Sequence, residues 1–161
     1  MTRKRSSYRP KGANPTAHLM AMQGASLLRP DDVQRFRLIL VAAVDAISRG
    51  EAGKKQWGAL FDAVNLVEAW VQAKVVQDPG NLNEVQETMV AAMERQRDRG
   101  TRALKHDELA ILRGFTEDYC TVLGGVTHKE LFDAEAAVRQ RVARVMAEGA
   151  APGVKVVEPC D

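Results

Sequence analysis

Apolar residues recur three and four positions apart through most of this chain, the spacing that places side chains on one face of an α-helix. The first long run opens at "RPDDVQRF". Val33, Phe36, Leu40, Val44 and Ile47 mark its apolar face, Pro30 suits a first turn, and Asp31 and Asp32 complement the positive end of the helix dipole. Gly50 and Gly53 bracket a break. The pattern then predicts a second helix from about Lys55 to Gln77, with Trp57, Leu60, Phe61, Val64, Val67, Trp70 and Val71 on one wide face and Val75 near its end. It is the best-patterned segment and the expected centre of the core. "DPGN" at 78–81 closes it with a Pro-Gly turn.

Asn81 and Glu84 stand at capping-box spacing ahead of a third helix marked by Leu82, Val85, Met89 and Met93, with Gly100 as its stop. A fourth helix is predicted over about Asp107–Leu123. Its inward positions are Leu109, Leu112, Phe115 or Thr116, Tyr119, Val122 and Leu123, and Gly124-Gly125 end it. Thr127 and Glu130 form a second capping box, before a fifth helix with Leu131, Phe132, Val138, Val142, Val145 and Met146 inward. Ahead of all these, Asn14-Pro15 and "TAHLMAMQ" read as a short helix ending at Gly24. The only candidate strand, "VKVV" near the C-terminus, has nothing to pair with. Connections of a few residues make successive helices antiparallel neighbours. The expected fold is all-α: a four- to five-helix bundle over residues 14–149, a disordered basic arm over 1–13 and a short flexible tail over 150–161.

Charge changes the picture at one end. Six of the 23 basic residues fall in residues 1–30 and none of the 21 acids does, so the rest of the chain is slightly acidic. Attraction to a polyanion should therefore begin at the arm, where Arg3, Lys4, Arg5, Arg9 and Lys11 could follow a phosphate backbone and Tyr8 could stack on an unpaired base. A second cluster, Arg95, Arg97, Arg99, Arg102 and Lys105, is partly neutralised by Glu94 and Asp98. From it Arg95, Arg99, Arg102 and Lys105 are taken as further nucleic-acid contacts. Arg139, Arg141 and Arg144 on the last helix read as a solvated face.

Other chemistry is sparse. None of His18, His106 and His128 has a His or Cys three or four residues on, so no metal-ligand motif forms, and no Gly-rich phosphate loop or G-x-S-x-G nucleophile is present. Cys120 sits in an apolar helical pattern and reads as inert, and Cys160 lies in the tail. Reduced thiols and a cytosolic setting are expected. No apolar run approaches the ~20 residues of a membrane span, and no hydrophobic stretch follows the N-terminal charges as in a secretory signal. A helix-turn-helix over 106–142 is disfavoured, because Glu130, Asp133 and Glu135 would face phosphate at the start of its recognition helix. No cofactor, metal or enzymatic activity is expected. The second helix, widened by Ala63, Leu66 and Ala69, predicts self-association as a symmetric dimer.

The opening "RKRSSYRPKGANP", residues 3–15, resembles that of small accessory proteins carried by prophages and other mobile elements in proteobacteria. The resemblance implies an accessory role and brings no catalytic residues with it. Two functions are expected: binding of nucleic acid or a nucleoprotein complex through the arm, or, as the alternative, inhibition or scaffolding of a host protein through the helical surface.

Overall fold

The computed structural model describes residues 22–99 and 104–148, apart from the side chains of Arg99 and Glu148. Five long helices follow the end of a leading helical turn at 22–24: α1 (Pro30–Ser48), α2 (Lys54–Gln72), α3 (Leu82–Arg99), α4 (His106–Gly124) and α5 (His128–Glu148). α1 packs on α2 and α4, and α3 also packs on both, so α1–α4 close a four-helix ring; α5 lies against the outside of α2. The all-α bundle is therefore as expected. The arm and tail, including "VKVV", His18 and Cys160, lie outside the described residues.

The core follows the three-four spacing. Ile47, Leu60, Val67, Trp70, Val85, Met89, Leu112, Phe115 and Leu123 are fully buried. Trp70 joins three helices. Its ring stacks on Tyr119 of α4 at 6.2 Å between centroids, and its indole N–H donates to the Glu130 carbonyl at the start of α5, 3.2 Å away. Trp57 and Val64 are buried with it, and Phe61 is half-buried against the same cluster. Phe115 and Thr116 both point inward, Thr116 satisfying its hydroxyl on the Leu112 carbonyl.

Two helix ends use the same six-to-one closure. After α1, the Glu51 N–H bonds to the Ala46 carbonyl and Gly50 takes a φ of 71°. After α2, the Val75 N–H bonds to the Trp70 carbonyl and Lys74 takes a φ of 58°. α2 thus ends at Gln72, earlier than the expected Gln77. Val75 and Val76 still reach the core, but from the loop, which is why the apolar pattern overran the helix.

The two predicted capping boxes part company. Thr127 and Glu130 make theirs in full: the Thr127 N–H and hydroxyl both donate to Glu130 Oε2, and the Glu130 N–H donates back to Thr127 Oγ1. Asn81 offers its backbone carbonyl to Val85, but its side-chain amide donates to Asp118 on α4 and its Oδ1 is buried without a partner. A tertiary bond has replaced the local cap.

The predicted dimer face on α2 is also corrected, because Ala63, Leu66 and Ala69 are buried within the chain itself. α5 differs in the opposite sense. Phe132, Val142 and Met146, expected inward, are 63%, 47% and 71% exposed, and among its described residues only Leu131 and Ala134 of this helix are buried. The seam against α2 runs through Leu131, Ala134 and Val138, and Phe132 sits one residue, or 100°, off it.

Candidate interaction surface

The cations of the body are largely neutralised by neighbours. Arg95, a predicted nucleic-acid contact, lies along Glu108 of α4 in a two-pronged pair, 2.8 Å from Nη1 to Oε1 and 2.5 Å from Nη2 to Oε2. Both side chains are largely buried, and Glu108 also caps α4 by accepting the Lys105 N–H at 2.8 Å. Burial pushes the Glu108 carboxyl up, but the bonds from Arg95 and the Lys105 backbone, with the charges of both residues, outweigh it and hold the group below its usual range. Arg95 is therefore a structural tie between α3 and α4 rather than a free cation. Lys105 keeps an exposed ammonium 4.0 Å from the same carboxylate. Arg99 belongs to α3, with its side chain undescribed. Arg102 and the arm residues Arg3, Lys4, Arg5, Tyr8, Arg9 and Lys11 lie outside the described residues, so the structure does not bring the predicted contacts together.

Other arginines tie helices in the same way. Arg37 of α1 reaches Glu117 of α4 at 2.7 Å, and Arg113 of α4 lies 3.5 Å from Asp45 of α1. Arg141, expected in solvent, docks α5 on α2 through Glu68 and Gln72. Lys129 and Arg139 pair within α5, with Asp133 and Glu135.

One structural feature carried no sequence signal. Residues 26–28 run antiparallel beside 126–128: Leu27 and Thr127 form an isolated bridge, Leu28 N–H donates to the Val126 carbonyl, and His128 N–H donates to Ser26. A contact this short has no periodicity to read. It sets the lead-in segment beside the start of α5, and a wide groove of about 1130 Å³ opens there. Most of its charged linings already have partners. Arg29 binds Asp32, Lys129 binds Asp133, and Glu130 is held by the bonds from Thr127, which lower its pKa. Phe132 is the large apolar side chain left open in this groove, and Met22 and Leu27 are exposed on the segment forming the other wall.

Among the described residues no three His, Cys, Asp or Glu side chains gather as metal ligands, and no helix is long and apolar enough to cross a membrane. Cys120 is half-buried. Burial and the Glu117 charge push its thiol up, Arg37 only partly opposing them, so it stays protonated at neutral pH. Comparison of the chain with protein-family models, with curated proteins and with solved structures found no match.

Proposed function

We propose that this protein is a non-enzymatic accessory module whose helical body binds another protein through apolar surface on α5 and the adjoining groove. The observation that carries the reading is a contrast. Arg37, Arg95, Arg113 and Arg141 of the body are tied up in helix-to-helix ion pairs, whereas Phe132, Val142 and Met146 are open to solvent on one helix. Val142 and Met146 stand one turn apart near the end of α5 and Phe132 opens into the groove at its start; exposed apolar side chains suit a protein partner, and a phosphate backbone asks for free cations. Inhibition or scaffolding of a host protein, in the cytosol, is the form this function takes in the proposal.

The charge split of the sequence favours a second reading, in which the arm adds nucleic-acid affinity. Five cations in residues 3–11 would displace roughly as many counterions, giving a log–log salt slope of about −4.5 on duplex. Titration of duplex and single strands over a salt series separates the two. It compares the full chain with one in which Arg3, Lys4, Arg5, Arg9 and Lys11 are replaced by serine. The proposal expects no salt-dependent binding by the substituted chain. Retained affinity there would assign nucleic-acid binding to the body and overturn the protein reading.

A further inference from the structure

The outer face of α1 carries a second apolar patch, remote in sequence from α5, and its charges follow a rule. Leu38, Ile39 and Val41 are 60%, 50% and 38% exposed at the middle of the helix. Around them Asp31, Arg35, Leu38, Ala42, Asp45 and Arg49 are spaced four and three apart in strict alternation, which lines them up along one seam. The seam is sign-inverting about its centre. Positions equally distant from Leu40 are Leu38 and Ala42, then Arg35 and Asp45, then Asp31 and Arg49.

From this we infer that α1 is a homodimer surface, on which a second copy of the chain lays its own α1 antiparallel about a two-fold axis level with Leu40. A two-fold sets each residue against its mirror position, so Leu38 meets the other copy's Ala42, Arg35 its Asp45 and Asp31 its Arg49. Each contact occurs twice, and all the charge contacts are attractive. The residues are available for this. Arg35 enters no ion pair among the described residues. Asp45 has only the 3.5 Å approach of Arg113, and Arg49 uses only Nε on Glu51. The relief also suits helix-on-helix packing. α1 is a ridge between two shallow grooves, one against α4 of about 540 Å³ and one against α2 of about 260 Å³. Beside Val41, a Cβ built on Gly114 meets nothing within 4 Å, so the first groove is open for an incoming side chain. One helix pair is a small interface, so the dimer forms at micromolar concentration rather than obligately. This face is separate from α5, and the inference stands independently of the proposed function.

The test is the mass of the full chain by sedimentation across a concentration series. Wild type should pass from one chain to two as concentration rises. Arg35→Asp and Asp45→Arg should each move the midpoint up by about tenfold or more, since each variant loses two ion pairs and sets like charges opposite each other. An equimolar mixture of the two variants should return to the wild-type midpoint, because every contact then joins opposite signs again. Leu38→Lys should weaken association in any mixture. Circular dichroism establishes that each variant is folded, and the mixture provides its own control. A wild-type mass of one chain at high micromolar concentration would overturn the inference. So would variants that associate as wild type does, or a mixture no tighter than its components.

Discussion

α2 and α5 look alike as sequence: each is a long amphipathic helix with an apolar stripe at three-four spacing. In the structure they are opposites. α2 is enclosed by α1, α3 and α5 and buries eight residues, from Trp57 to Trp70. Among the described residues α5 packs chiefly on α2, meets the 26–28 segment at its first turn, buries Leu131 and Ala134, and leaves Phe132, Val142 and Met146 in solvent. Amphipathicity states how much apolar surface a helix must cover, and does not state what covers it. For α2 the cover is the rest of the chain. For α5 we propose that a partner supplies part of it.

The contrast predicts an order of mutational effects. Trp70→Ala should be the most damaging change, costing about 3–5 kcal/mol in chemical denaturation, because it empties the junction of α2, α4 and α5. A loss near 1 kcal/mol would mean α2 is not the centre of the core. Next comes the root of α5. Thr127→Ala removes the hydroxyl half of its capping box and should cost about 1 kcal/mol. The same site has a pH signature. The backbone and side-chain bonds from Thr127 hold the folded Glu130 carboxyl below its ordinary value of 4.5, so its contribution is complete above that pH. It is lost as pH falls through the depressed folded value. Melting of wild type and Glu130→Gln should therefore differ at neutral pH and converge in acid. A gap that persists below that window would assign the effect to something other than ionisation.

Lys74→Gly is expected to act in the other direction. Lys74 closes α2 with a left-handed φ of 58°, a conformation that opposes a side chain, so glycine there should stabilise by about 0.5–1 kcal/mol. The smallest effect belongs to the exposed end of α5. Met146→Gln should change stability by less than about 0.5 kcal/mol. A larger loss would place Met146 in a packed site and erase the contrast between the helices.

Most of the fold was legible in the sequence, because periodicity reports which residues must be covered. Leu82, Val85, Met89 and Met93 are all buried as the pattern required. The failures arise where a tertiary partner, or its absence, overrode a local signal, or where a residue closed a helix without the usual glycine. Asn81 gave up its cap to reach Asp118. Lys74 took a position that glycine usually marks, so the end of α2 was hidden. Val142 and Met146 carry the same apolar signal as Leu131, and only the position of α2 decides which are buried. The candidate site was less legible. Arg95 and Arg141 read as free cations, because their carboxylate partners lie in other helices. The antiparallel contact of 26–28 with 126–128 gave no sign at all.

The central claim is that the open apolar surface of α5 engages a protein. The most direct measurement is affinity capture from nuclease-treated lysate of the source cells, with wild type and a Phe132→Glu, Met146→Glu double variant side by side. Both substitutions fall on exposed positions, and matched melting curves establish that the fold is kept. The account predicts one nuclease-resistant protein retained by wild type and lost from the variant. Recovery that vanishes with nuclease, or that is equal for the two chains, would contradict it.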